Sequence, residues 1–226
     1  MVEALCEKIR VNQTIKKWAR GEEQKKERSL QILDAAAFLL QNKDYASITM
    51  QQVAEEAEIV KGTLYLYFKT KEELFLTLHQ QEIEALLATW QTSVEEMKNS
   101  DQLPAISAEV FIQKPLSMRL VSITNQVLEH NISLEMAKTF KLVLHKKFEL
   151  LAVCMEKKCS WMKVGQGEEF IIRFASYVIG LWSTTQPTPI IRELYEQTPE
   201  LGGSHINFSK TLKNASNWLY QGMKNG

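Results

Sequence analysis

The sequence predicts an all-α chain, with a three-helix N-terminal module followed by a larger helical domain. Nine glycines and five prolines punctuate 226 residues, and long stretches carry neither, which favours helices over many short strands. Apolar residues recur at three- and four-residue spacing, with no strand alternation, no low-complexity tract and no repeat at a solenoid period. Two threonines followed three places on by glutamine or glutamate, Thr49 with Gln52 and Thr70 with Glu73, mark helix starts.

Taken in order, residues 1–24 form a charged extension containing Lys8, Arg10, Lys16, Lys17 and Arg20. Leu5, Ile9 and Trp18 are too sparse for an amphipathic face. The cations suit a DNA-seeking arm, while Glu3, Glu7, Glu22 and Glu23 dilute them and suit a disordered tail equally. From Lys25 the pattern sharpens: Leu30, Leu33, Ala37 and Leu40 recur at helical spacing, with Ile32, Ala36 and Leu39 beside them. Asn42-Lys43-Asp44 ends that helix. Thr49 opens a helix of about two turns, its hydroxyl placed to accept from the third helical amide while Gln52 reaches back. Glu58-Ile59-Val60 turns the chain into a second short helix over residues 61–68. Thr70 then opens a long helix with Leu74, Phe75, Leu78, Ala85, Leu86 and Thr89 as its apolar stripe.

Residues 99–104 read as a loop, and further breaks fall before Pro115 and at Asn131-Ile132-Ser133. Ser133 caps a helix reaching Ser160, and Gly165-Gln166-Gly167 separates it from an apolar helix over 168–185. Pro187-Thr188-Pro189 stops that helix, since proline lacks the amide and clashes with the preceding turn. A loop over 198–205 leads to a last helix from Asn207 to Met223.

Lysine plus arginine number 27, as do aspartate plus glutamate, so the formal net charge is zero. A wholesale basic coat for nucleic acid is excluded, and contact with DNA must come from a local patch. Charge interrupts the first eight residues where a secretory leader needs an unbroken apolar run. No stretch approaches the ~18 apolar residues of a membrane span; residues 170–182 come nearest and Arg173 cuts them. Cys6, Cys154 and Cys159, without a leader, read as reduced thiols of a cytoplasmic protein. His79, His130, His145 and His205 lack metal-ligand spacing and read as surface or satisfied core residues. No nucleophile elbow, glycine-rich phosphate loop or zinc-protease motif occurs, so neither an enzyme nor a metal or cofactor site is expected.

Three closely spaced helices, the second and third short and joined by a tight turn, describe a helix-turn-helix. Val53, Ala54, Ala57, Ile59 and Leu64 would form its small core. Lys61, Gly62, Thr63, Tyr65 and Tyr67 would stay exposed on the recognition helix. Lys61 can donate to guanine O6 and N7 or to phosphate, and Thr63 can meet a thymine methyl or a phosphate. The two phenols suit phosphate oxygens. Between Val60 and Lys71 the charges are Lys61, Lys69 and Lys71, with no acid, which supplies the local patch; Lys69 reads as a solvated face.

At Thr49-Met50-Gln51-Gln52-Val53-Ala54-Glu55-Glu56-Ala57, Val60 to Phe68 and Lys71-Glu72-Glu73-Leu74 the chain resembles the tetracycline-repressor (TetR) family, over roughly residues 24–78. Leu128-Glu129-His130-Asn131 and Val178-Ile179-Gly180-Leu181-Trp182 resemble stretches of some members' C-terminal domains. The resemblance implies a homodimer, double-stranded operator DNA as partner, and a helical domain that binds a small-molecule effector and thereby releases DNA, so that repression is favoured over activation. Carried over, Thr49 begins the support helix near phosphate, Lys61, Gly62, Thr63 and Tyr65 face the groove, Tyr67 faces the backbone and Lys71 a flanking phosphate. Two positions depart from the family pattern: Glu58 stands where a turn glycine is usual, and Val60 where a small polar cap is usual. The domains are then 1–24, an extension; 25–70, the DNA-binding module; and 71–226, the effector-binding and dimerisation domain. The rival reading is an architectural DNA-binding protein of the same fold without an effector.

Two further expectations concern the larger domain. Residues 170–182 are apolar around much of the helix, through Phe170, Phe174, Val178, Leu181 and Trp182, and the last helix offers Phe208, Leu212, Trp218 and Leu219. Helices apolar beyond one stripe need partners on more than one side, so these two are expected to pair with their twofold mates as a four-helix bundle. Trp90, Met97, Phe111, Met118, Met136, Phe140, Phe148, Met155 and Trp161 supply large adaptable side chains. Core packing accounts for most of them, and the resemblance implies a cavity lined by a subset.

Overall fold

The computed structural model describes residues 2–124, 127–198, 200–201 and 206–226, and among these the side chains from Gly21 onward except that of Pro189. Among the described residues there are ten α-helices and no strand. The chain divides into two compact units, Met1–Phe75 and Leu76–Gly226. No described helix is long and apolar enough to cross a membrane.

The first unit holds α1 (Val2–Asn42), α2 (Met50–Glu56), α3 (Lys61–Tyr67) and the first turn of α4 (Lys71–Glu96). Helix α1 is continuous through the charged extension, where composition had suited an arm or a tail. The reason is local: residues 2–24 carry no proline and one glycine, Gly21, and are rich in Ala, Leu, Lys, Arg, Glu and Gln. The buried face of α1 is Ile32, Leu33, Ala36, Leu39 and Leu40, packed toward α2. Leu30 is exposed and Ala37 only half-buried, so the face is rotated from the stripe expected from spacing.

The second unit continues α4 and adds α5 (Leu103–Ile112), α6 (Pro115–Thr124), α7 (Leu134–Lys158), α8 (Gln166–Thr185), α9 (Pro189–Gln197) and α10 (Phe208–Asn225). The stretch expected as a loop is a short capped turn. Asn99 Oδ1 accepts from the Asp101 amide at 3.1 Å, Gln102 Oε1 accepts from the Asn99 amide at 3.3 Å, and α5 starts at once with Pro104 in its first turn. Proline costs nothing there, because the first helical amides have no partner within the helix. The same rule explains α9, which sequence reading missed: Pro189 follows the end of α8 and begins the next helix. Ser133 caps α7 as expected, accepting from the Met136 amide at 3.2 Å, and Asn207, expected to begin the last helix, caps α10 by accepting from the Lys210 amide at 2.8 Å. His205 and the Gly202-Gly203 pair lie outside the described residues. On α4 the buried positions run through Ile83, Leu87, Trp90 and Val94, whereas Ala85 and Thr89 face out, with the Thr89 hydroxyl turned back onto the Ala85 carbonyl.

Helix α8 packs against α6, α7 and α10. Phe170, Phe174, Val178 and Leu181 are therefore buried within the chain, as is Leu212 of α10. This corrects the expectation that these five meet a second copy: α8 is apolar on several sides because it has neighbours of its own chain on several sides. Trp182 and Phe208 are half-buried and pack edge-to-face on one another at 5.2 Å. Leu219 is half-buried, and only Trp218 of the expected set stays largely exposed, at 70%. At the centre Phe174 touches Trp90, Phe111 and Phe170 at ring separations of 5.4–5.8 Å, and the Trp90 indole donates to Ser107 Oγ at 3.1 Å.

Helix α8 approaches α7 so closely that a Cβ on Gly167 would lie 2.4 Å from the Ala152 carbonyl oxygen, whereas one on Gly222 of α10 would meet nothing within 4 Å. Gly167→Ala is expected to cost about 1–3 kcal/mol in urea unfolding, since backbone rather than a movable side chain must give way. Gly222→Ala is expected to be neutral or stabilising by up to about 1 kcal/mol.

Candidate functional site

The two short helices are set by their termini. Thr49 Oγ1 accepts from the Gln52 amide at 3.2 Å, and Gln52 Oε1 accepts from the Thr49 amide at 3.0 Å, the reciprocal box expected from sequence. Helix α2 ends in a six-residue closure: the Glu58 amide donates to Glu55 at 3.1 Å and the Ile59 amide to Ala54 at 2.9 Å. That closure puts Glu58 at φ +52°, where glycine would be unstrained and a side chain costs about 1–2 kcal/mol. Val60 caps α3 with no side-chain hydrogen bond. Between the helices Val53, Ala54, Ala57 and Leu64 are fully buried and Ile59 half-buried, as anticipated.

On α3, Lys61, Gly62 and Tyr65 are exposed and Thr63 is half-buried. The Lys61 ammonium sits 5.9 Å from the Tyr65 ring centre, so cation and phenol form one edge of the helix. Leu66 is 81% exposed and was not among the expected contacts. The signal was available, because Leu64 points inward and a residue two further along a helix must turn away. Tyr67 is half-buried and lines a polar hollow with Lys25 and Arg28 of α1, two cations that composition alone did not single out.

Lys71 does not stand as the free cation expected at a flanking phosphate. Its ammonium donates to the Tyr45 carbonyl and lies 3.8 Å from the centre of the Tyr45 ring. Burial lowers its pKa, opposed by the charge of Glu72. The Tyr45 hydroxyl donates to Glu72 at 3.2 Å, and its ring meets Phe75 edge-on at 5.1 Å. Burial first, then Glu72, raises the Tyr45 pKa. Lys69 is exposed, as read from sequence.

Within the second unit a cavity of about 270 Å³ lies among α4–α8. Trp90, Phe111, Met118, Phe140 and Phe148 of the anticipated large side chains line it; Met97, Met136, Met155 and Trp161 do not. Cys154 and Cys159 are free; burial pushes the Cys159 thiol up to about 11. The cavity wall also holds His79, 2% exposed, which sequence reading left as a surface or satisfied core histidine. Its Nδ1 lies 2.6 Å from Thr124 Oγ1, and its ring tilts against Phe140 at 5.4 Å. Among the described residues no group bonds its Nε2. Burial, helped by the charge of Lys141, holds its pKa down to about 4.

Residues 80–226 match the family profile described as Tetracyclin repressor-like, C-terminal domain, and residues 32–78 match that of Bacterial regulatory proteins, tetR family. The chain belongs to the TetR family. Among curated relatives it is 26% identical over 83 residues to the fatty acid metabolism regulator protein of Bacillus subtilis, covering 37% of this chain and 43% of that one. It is 36% identical over 66 residues to the HTH-type transcriptional repressor KstR of Mycolicibacterium smegmatis, covering 29% and 32%. The match thus spans less than half the length of these relatives. Solved structures extend the likeness of fold. FadR of Bacillus subtilis, in complex with stearoyl-CoA, superposes with a TM-score of 0.56 at 16% identity, over 84% of this chain and 96% of that one. FadR of Bacillus halodurans gives 0.56 at 16% identity, over 85% and 94%.

The strain at Glu58 is open to direct measurement. Glu58→Gly removes the side chain from a left-handed position and is expected to stabilise the protein by about 1 kcal/mol in urea unfolding. A destabilised variant would mean that the carboxylate makes a contact outweighing the strain.

Proposed function

We propose that this TetR-family chain is a ligand-responsive transcriptional repressor that reads DNA with α3 and leaves its operator when a small molecule fills the cavity of the second unit. The observation that carries the reading is the exposed Lys61–Tyr65 edge of a short, capped helix, in a chain whose second unit encloses an apolar cavity. Helix α4 contributes residues to both units, starting at Lys71 and passing His79, Leu87 and Trp90. The naming of relatives as a fatty acid metabolism regulator and as a transcriptional repressor, and the stearoyl-CoA complex of FadR, support an effector with a large apolar part. An effector need favour the released form by only ~1–3 kcal/mol to weaken operator binding about 5- to 150-fold.

In this reading Lys61, Gly62, Thr63 and Tyr65 face the groove, Thr49 and Tyr67 approach phosphates, and Lys71 supports the base of α4 through Tyr45. Gel-shift titrations against a selected operator and scrambled DNA test it. Lys61→Ala is expected to cost about 1–3 kcal/mol on the operator and little on scrambled DNA. Lys71→Ala is expected to leave the salt slope unchanged, whereas loss of a phosphate contact would lower it by about one. Sequence-blind binding by the wild-type protein would instead favour the architectural reading.

The active form in this proposal is a homodimer built on the outward edges of α8 and α10. With Phe174 and its neighbours spent on the core, Tyr177 and Gly180 of α8 and Trp218 of α10 are among the residues those helices leave exposed. Tryptophan is enriched at protein interfaces relative to the rest of the surface, which makes Trp218 an anchor in this reading. Light scattering at micromolar concentration is expected to give twice the chain mass, and Trp218→Glu to shift it toward a monomer. A wild-type monomer under those conditions overturns the dimer.

A further inference from the structure

We propose that the cavity of the second unit is built for an apolar molecule carrying one uncharged hydroxyl, an alkylphenol or alcohol, whose O–H donates to His79 Nε2. The inference rests on the effector reading of that cavity and deepens it.

The argument starts at Thr124. Its hydroxyl has one proton, and the Leu120 carbonyl, 2.8 Å from Oγ1, can only accept it. The oxygen is left to accept from His79 Nδ1, 2.6 Å away, which places the imidazole proton on Nδ1 and the lone pair on Nε2. Among the described residues Nε2 has no partner, although His79 is 2% exposed and lines the cavity. A buried acceptor without a donor is among the costlier defects a folded protein carries, and a ligand donor would remove it.

The surroundings decide what sort of donor. Ile83, Leu87, Trp90, Phe111 and Phe148 make the cavity chiefly apolar and partly aromatic. A carboxylate offers acceptors only and would face the lone pair. With its proton held on Nδ1 by Thr124, His79 could meet an anion only as imidazolium, and burial beside Lys141 opposes that at neutral pH. Lys141, the other polar side chain suited to an acid, is paired with Glu129 at 2.6 Å, and both are partly exposed. An ammonium ligand would have to be desolvated among these walls with no carboxylate lining the cavity. An uncharged hydroxyl avoids each of these costs.

The test titrates the full chain with three probes of matched size, 4-butylphenol, 4-butylanisole and 4-butylbenzoate, read by tryptophan fluorescence and by calorimetry. The phenol is expected to bind about 10- to 100-fold tighter than either of the others. His79→Phe should abolish the preference for phenol over anisole, and His79→Gln, which keeps an acceptor, should retain part of it. Thr124→Val supplies an independent check: without its oxygen the imidazole is free to move its proton to Nε2, and the preference should shrink at least fivefold. Benzoate or anisole binding as tightly as phenol, or a preference that survives His79→Phe and Thr124→Val, overturns the hydroxyl assignment while leaving the effector cavity standing. No saturable binding of any probe at millimolar concentration overturns the cavity reading and this inference together.

Discussion

Phe174 is the side chain around which the larger unit closes. It contributes to α8, touches Trp90 of α4 and Phe111 of α5, and stacks on Phe170 one turn away. Trp90 and Phe111 themselves meet edge-on at 5.1 Å, so three helices are pinned at one point by three rings in mutual contact, two of the pairs edge-to-face and the third tilted. Trp90 is the member with a polar demand, met by Ser107, which fixes the indole's rotation. The same two rings that hold Phe174 also wall the cavity. The cavity is therefore a place where an aromatic core stops short of filling the space between α4 and α7, and its shape follows from rings that cannot easily move.

Fixing α8 in this way settles which surfaces remain for other molecules. An apolar helix surrounded by α6, α7 and α10 has little hydrophobic face left over, and Gly167 lets α7 approach to backbone contact. What α8 and α10 still present outward is mixed in character, with Arg173, Ser176, Tyr177 and Trp218 among it. A partner copy there would rely on a few large side chains such as Trp218 more than on area.

The smaller unit shows strain and support in opposite places. At the α2–α3 turn a glutamate occupies a left-handed position, held by two backbone hydrogen bonds that the tight connection requires. At the start of α4 the chain is reinforced: Lys71, Tyr45, Glu72 and Phe75 form a cluster of cation, ring and carboxylate. A lysine so engaged holds the base of a helix. In the proposed reading the recognition edge is left to Lys61 and its neighbours on α3, where the Lys61 ammonium lies near the Tyr65 ring.

The sequence by itself determined the helical class, the limits of α2 and α3, the capping of α2 and α7, the start of α10, and the inward set Val53, Ala54, Ala57 and Leu64. These follow from neighbours a few residues apart, where capping chemistry and 3.6-residue spacing act directly. The resemblance to the TetR family, where that turn usually carries glycine, marked Glu58 as the departure, and the structure places it at φ +52°. Tertiary structure alone decided the rest. Whether Phe174 faced its own chain or a second copy depended on where α6, α7 and α10 lay. Lys71 read as a free cation until Tyr45, 26 residues earlier, was found beneath it. His79 read as an ordinary buried or surface histidine because its partner Thr124 is 45 residues away, and an unmet lone pair is visible only when every neighbour has been placed. Local chemistry is written in the order of residues; burial and pairing across long separations come into being only when the chain closes on itself.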